Sequence, residues 1–298
     1  MSFFFEVMLG GLLAGVLYSL VALGFVLIFK ASGVFNFAQG AMVLFAALTL
    51  VRLMEWLNFW IAFAITCAVM IGVAFVIERL VLRKLVNQEG IILFMATLGV
   101  NFFLEGFGQT IWGSDIYTLN LGIPKEPVFI LESIFDGGLL VEKLDLFAAL
   151  VAGSLVAALA LFFAKTKLGL ALRAVADDHQ AAQSIGVPLN YIWLVVWSAA
   201  GIVALVAGMV WGAKLGVQFS IALIALKALP VLILGGFTSV PGAIIGGLII
   251  GLGEKLSEVY FGPVFGGGIE NWFAYVLVLV VLLVRPQGLF GDKIIERV

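Results

Sequence analysis

The sequence predicts an all-α polytopic integral membrane protein on three observations. The chain of 298 residues is 63% hydrophobic and 11% charged, whereas soluble domains run at about 45–50% and about 25%; a soluble core cannot hide that much apolar surface. The apolar residues gather into repeated runs near the roughly 20 residues that cross a hydrocarbon core about 30 Å thick. Those runs are continuous rather than alternating, and lipid offers backbone polar groups no partner, so they read as helices and not as barrel strands.

Nine runs fall at 7–29, 34–54, 59–77, 91–112, 144–164, 191–212, 221–234, 241–260 and 272–284. The seventh is short at about 1.5 Å per residue and, with the eighth, brackets the Gly/Pro break from Gly235 to Gly242. It is either a ninth crossing or a re-entrant half-helix that leaves eight. Met1 to Glu6 contains no basic residue, so the first run lacks the positive leader of a cleaved signal peptide and is expected to stay. Cys67, the one cysteine, lies in an apolar run and reads as a packing thiol.

Basic residues favour cytoplasmic loops. Arg79, Arg83 and Lys84, then Lys165, Lys167 and Arg173, then Arg285, Lys293 and Arg297 mark three segments as cytoplasmic. In the segment 113–143, Asp115, Glu126, Glu132, Asp136 and Glu142 outnumber Lys125 and Lys143, as suits an outward-facing loop. Nine spans then place the N-terminus outside and the C-terminus inside, in a single transmembrane domain over 1–298.

Within this frame several polar groups call for an explanation. Thr97, Asn101, Glu105 and Gln109 recur every four residues along the fourth run and are expected on one face. A carboxylate at mid-membrane costs about 2.5–3.5 kcal/mol on insertion scales, so this stripe either lines a wet path or supplies hydrogen bonds between helices. Lys227, midway along the short seventh run, either meets the carboxylate of a passing substrate or pairs with a residue such as Glu105. Gly11 and Gly15, and Gly242, Gly246, Gly247 and Gly251, form close-packing faces of the small-xxx-small kind. Phe35 to Ala41 and Phe237 to Ala243 share three identities in seven and sit alike between apolar runs, either a decayed repeat of the sort that builds transporters or a chance match.

The loop 165–190 is the most soluble-looking stretch between spans. Leu168 to Ile185 reads as one amphipathic helix, with Leu172, Val175, Ala176, Ala182 and Ile185 on one side and Arg173, Asp177, Asp178 and Gln180 polar; Gly186 and Pro188 end it. It suits docking of a partner that delivers mechanical work, or is an ordinary interfacial linker. No G-x-x-x-x-G-K-[ST] phosphate loop occurs, so any ATP is hydrolysed by another subunit. With His179 and Cys67 each alone of its kind, no His/Cys metal site or Ser-His-Asp arrangement is expected in the membrane, and no catalytic residue is assigned.

Four blocks, in order, carry a family resemblance: Gly33-Val34-Phe35-Asn36-Phe37-Ala38-Gln39-Gly40, Ala96-Thr97-Leu98-Gly99, Gly169 to Gly186, and Gly235 to Gly242. From Gly11 through Gly253 the chain resembles the LivH-type permeases of branched-chain amino acid ABC importers. The resemblance implies a bacterial inner-membrane subunit that passes branched-chain or other hydrophobic amino acids, or related small polar solutes, across the membrane. It implies as partners a second, LivM-like permease, two cytoplasmic ATPases that bind ATP and Mg, and a periplasmic or lipid-anchored solute-binding protein. This chain itself would bind lipid but no cofactor and no nucleic acid. Asn36 and Gln39 look like the family's N-F-A-[HQ]-G element near the translocation path, to which Thr97, Asn101, Glu105 and Lys227 are joined. Arg173, Ala176, Asp177, Asp178 and Gly186 resemble the segment that docks the ATPase. Family members often carry Glu directly after that element where this chain has Ala41, so no polar role is transferred there. The rival reading is an ion-coupled secondary transporter acting alone, with Glu105 and Lys227 as its pair.

Overall fold

A computed structural model of the chain describes residues 2–85, 88–124, 126–130, 132, 138–177 and 179–291, with backbone only for 177, 179 and 180. Each of the nine apolar runs carries a helix. The described helices are α1 (Ser2–Ser32), α2 (Gln39–Met54), α3 (Phe59–Leu80), α4 (Gly90–Trp112), α5 (Lys143–Lys165), α6 (Lys167–Asp177), α7 (His179–Ser184), α8 (Leu189–Leu215), α9 (Ile224–Gly235), α10 (Val240–Phe265) and α11 (Phe273–Val284). Among the described residues α1, α3, α4, α5, α8 and α10 are long and apolar enough to cross a membrane, and α2, α9 and α11 are shorter. The chain is thus an all-α polytopic membrane protein.

One segment departs from the sequence reading. Within 113–143, β1 (Pro127–Ile130) and β2 (Leu139–Glu142) pair antiparallel with Val128 opposite Val141. Leu139 and Val141 are buried while Leu140 and Glu142 face out, the period-two alternation of a half-covered strand. The stretch read as one amphipathic helix over Leu168–Ile185 is helical on both sides of residue 178, as α6 and α7, and residue 178 itself lies outside the described residues.

The chain divides into two compact units. The first comprises Met1–Ala22, Gly122–Val156 and Leu226–Val298; the second comprises Leu23–Leu121 and Ala157–Ala225. In the second, α2 is the core: every residue from Gln39 to Val51 is buried, so its 16 residues, about 24 Å long, lie against protein rather than lipid. It packs between α8, α3 and α4. A Cβ on Gly208 of α8 would sit 2.5 Å from the Val43 carbonyl oxygen, and Gly40 leaves room only for the Ala222 carbonyl.

In the first unit the glycine face expected from sequence is a helix crossing. A Cβ on Gly11 would lie 2.8 Å from Leu252 Cα, and one on Gly15 2.6 Å from the Gly247 carbonyl oxygen and 2.8 Å from Leu248 Cα. The numbers run in opposite directions, so α1 and α10 cross antiparallel at backbone contact, as glycine allows where lipid supplies no hydrophobic drive between helices.

Helix α9 contains Pro230. Proline has no amide, so the carbonyl four residues back, that of Leu226, loses its helical donor. The Tyr275 hydroxyl of α11 donates to that carbonyl at 2.9 Å. At the other end of α9 the Leu289 and Phe290 amides return to the carbonyls of Leu234 and Gly235 at 2.8 and 3.2 Å.

Two tests follow from these contacts, both read as thermal unfolding of the purified chain in detergent. Gly15→Ala is expected to cost about 1–3 kcal/mol through overpacking, while Gly10→Ala, where a Cβ meets nothing within 4 Å, leaves the midpoint in place; equal midpoints would remove the crossing from its stabilising role. Tyr275→Phe is expected to cost about 1–3 kcal/mol for the orphaned carbonyl, and adding Pro230→Ala, which restores the amide, is expected to recover most of the loss.

Candidate translocation and coupling sites

The break between α1 and α2 is built by side chains standing in for helical hydrogen bonds. Gly33 closes α1 with φ +67°, a left-handed turn that glycine takes without a Cβ clash. The Ser32 hydroxyl donates to the Ile28 carbonyl at 2.7 Å and accepts the Val34 amide at 3.3 Å. Asn36 Oδ1 accepts the Ala38 amide at 3.1 Å, and Asn36 Nδ2 donates to Gln39 Oε1 at 3.3 Å. Gln39 Nε2 in turn donates to the Ala200 carbonyl of α8 at 3.4 Å. From α4, Thr97 Oγ1 accepts the Phe37 amide at 3.3 Å and faces the Phe35 and Phe94 carbonyls at 3.1 and 3.0 Å. The rings of Phe25, Phe35, Phe37 and Phe94 follow one another at 5.1, 4.4 and 4.5 Å between centroids.

Three of the sequence-predicted path residues, Asn36, Gln39 and Thr97, are therefore brought together, and all are at most 1% exposed. What they do in this arrangement is satisfy backbone. Asn101 and Glu105, further along α4, are half-buried and bond each other at 3.2 Å. Gln109 is exposed. The stripe turns because a spacing of four overshoots the 3.6-residue turn by about 40° per step, so Thr97 and Gln109 end up facing differently.

Lys227 lies on α9, half-buried, and the carboxylate within its electrostatic reach is Glu254 of α10; Glu105 has Asn101 instead. Glu254 was missed in the sequence. It is 3% exposed, and its carboxylate takes a hydrogen bond from Tyr18 of α1. The signal was present, since Glu254 falls inside the apolar run 241–260, but with Lys255 and Glu258 near it the stretch reads as the polar end of a span. Glu78 was missed likewise: it is 1% exposed at the end of α3, and Arg83 holds it with two hydrogen bonds at 3.1 and 3.2 Å.

In the coupling segment Thr166 caps α6 by accepting the Gly169 amide at 3.1 Å. Leu172, Val175 and Ala182 are buried and Ala176 is half-buried, as the amphipathic pattern requires. Ile185 is 78% exposed, because it lies beyond the end of α7 and the helical spacing no longer governs it. Arg173 is exposed and reaches the Ala164 carbonyl with both terminal nitrogens at 3.5 Å. Gly186 has φ +86° and ends α7, with the Val187 amide returning to the Ala182 carbonyl at 3.0 Å. Asp178 and the side chain of Asp177 lie outside the described residues, as do Lys125, Asp136, Lys293 and Arg297.

Membrane-length helices interrupted by buried, side-chain-satisfied breaks are the architecture of a membrane transport permease. The model of the family described as branched-chain amino acid transport system / permease component matches residues 7–285, and the chain belongs to that family. It is a permease component and not an enzyme. The chain is similar to the high-affinity branched-chain amino acid transport system permease protein BraD of Pseudomonas aeruginosa, 28% identical over 99% of this chain and 98% of that one. It is also similar to LivH of Escherichia coli K12, at 27% over 99% and 98%. A probable branched-chain amino acid transport permease protein LivH of Methanocaldococcus jannaschii is 30% identical over 95% of this chain and 91% of that one.

The Thr97 clip is open to direct test. Thr97→Val strands the Phe37 amide and is expected to cost about 1–3 kcal/mol as a lower unfolding midpoint in detergent, whereas Thr97→Ser keeps the hydroxyl and stays near the parent. A valine variant as stable as the parent would show that the break is held elsewhere.

Proposed function

We propose that this chain is the membrane permease of an ABC importer in a bacterial inner membrane. It passes branched-chain or other hydrophobic amino acids, or related small polar solutes, that a periplasmic or lipid-anchored solute-binding protein delivers. The observation that carries this reading is the match to the branched-chain amino acid permease family over residues 7–285, joined to a sequence with no phosphate loop. The driving energy then comes from other chains. Two cytoplasmic ATPases holding ATP and Mg, and a second, LivM-like permease, complete the assembly; this chain binds no cofactor of its own.

The chain crosses nine times, N-terminus out and C-terminus in. That direction puts the basic segments around Arg83, Arg173 and Arg285 in the cytoplasm, where lysine and arginine concentrate. Segment 113–143 with its hairpin then faces the binding protein. The stretch Arg173 to Gly186, with Ala176, Asp177 and Asp178, receives the ATPase, and its closure on ATP is transmitted through α6 and α7. Within the second unit, Asn36, Gln39 and Thr97 hold the broken backbone beside the path and Asn101 and Glu105 are polar path residues; within the first unit, Lys227 is the polar path residue.

In the reconstituted complex, Asp177→Lys is expected to lower substrate-stimulated ATP hydrolysis about tenfold or more, since a reversed charge in a docking surface costs several kcal/mol, while membrane insertion and yield are unchanged. Full ATPase activity in that variant would sink the coupling assignment. The purified chain alone, in liposomes under an ion gradient, is expected to move no amino acid; uptake there would replace the importer with the secondary-transporter reading.

A further inference from the structure

The first unit holds a charged cluster among α1, α9, α10 and α11 that the family description does not assign. Tyr18 is 5% exposed and Glu254 3% exposed. α1 and α10 run antiparallel, and helical side chains lean toward their own N-terminus, so Tyr18 and Glu254 lean toward each other along the crossing and the hydroxyl meets the carboxylate. The Lys227 ammonium is near enough to attract Glu254, yet among the described residues it makes no hydrogen bond and closes no ion pair. Its helix is fixed beside it, because Tyr275 holds the Leu226 carbonyl. Glu254 also keeps its own turn in place, with Ser257 Oγ bonding its carbonyl at 2.9 Å.

Two opposite charges inside membrane-spanning helices, held near each other but not in contact, are a poor structural device. Apolar residues of similar volume would serve packing as well or better, and a closed pair would at least neutralise itself. The arrangement instead leaves an anionic group with one donor already set and a cationic group with its donors unused. A zwitterionic amino acid carries the complementary charges on one small frame, an ammonium for the carboxylate and a carboxylate for the ammonium.

We propose that Glu254 and Lys227 bracket the α-ammonium and α-carboxylate of the transported amino acid, with Tyr18 positioning the Glu254 carboxylate. The proposal rests on the amino-acid reading given above and adds to it the groups of this chain that contact the substrate.

The test is uptake of labelled leucine by proteoliposomes containing the complete complex. Glu254→Gln and Lys227→Met each remove one charge at nearly constant volume, and each is expected to lower uptake at subsaturating leucine by about tenfold or more, the loss of one charge-assisted contact. Tyr18→Phe, which keeps both charges, is expected to lower it by a smaller factor, about threefold. The double variant Glu254→Gln/Lys227→Met separates bracket from structural pair. A bracket leaves the double variant as defective as the worse single one. A structural pair predicts recovery, because no lone buried charge remains, and recovery would overturn the bracket, as would a double variant that fails to assemble or a Glu254→Gln complex with unchanged uptake. If the unmodified complex takes up no amino acid, the substrate reading itself falls and the bracket with it, an outcome visible before any substitution is made.

Discussion

Inside lipid a backbone amide or carbonyl that leaves a helix has nowhere to go except to another part of the protein, and the described structure depends on how it meets that demand. Each interruption is supplied by named groups. The end of α1 is closed by Ser32, the turn into α2 by Asn36 and Thr97, and the start of α10 by Ser239, whose hydroxyl accepts the Gly242 amide at 3.0 Å. The two segments that look alike in sequence, Phe35 to Ala41 and Phe237 to Ala243, meet the demand in related ways. Each follows a glycine of positive φ, Gly33 and Gly236, and each leads into the first turn of a helix.

The same solvent removes the hydrophobic drive between helices, which leaves close approach as the means of holding them together. Glycine decides where approach is possible, and so decides which side chains meet. Gly11 and Gly15 against Gly247 and Leu248 fix the antiparallel crossing of α1 and α10; the pairing of Tyr18 with Glu254 follows from it. The polar cluster is thus a consequence of the glycine face, although the two are far apart as features of the sequence.

The helices were legible because their signal is a sustained run of one kind of residue, and each run did become a helix. What failed to show were features whose signal is short or cancelled. The strands Pro127–Ile130 and Leu139–Glu142 are four residues each, too brief for alternation to stand out in a charged loop. The polar stripe of α4 looked like one face because a period of four is close to 3.6, and the error grows only over several turns. Glu254 was hidden by its neighbours: alone in an apolar run it would have stood out as Lys227 did, but beside Lys255 and Glu258 it read as an edge. Burial separates them, since Glu254 is enclosed while Lys255 is half exposed and paired with Glu270 at 3.4 Å.

Helix α9 brings these threads into 12 residues. At about 18 Å it is short for a crossing, and Pro230 deprives it of one of its few internal hydrogen bonds. Left to lipid it would be a weak element. It is held by hydrogen bonds from outside itself, Tyr275 at its first turn and the Leu289 and Phe290 amides at its last. A segment anchored at both ends can keep the Lys227 ammonium in one place without an ion pair, which a longer, self-sufficient helix free to slide or rotate would not do. The weakness that proline introduces and the fixed charge beside it belong together: the carbonyl freed by Pro230 is the very group through which α11 sets the position of the residue next to Lys227.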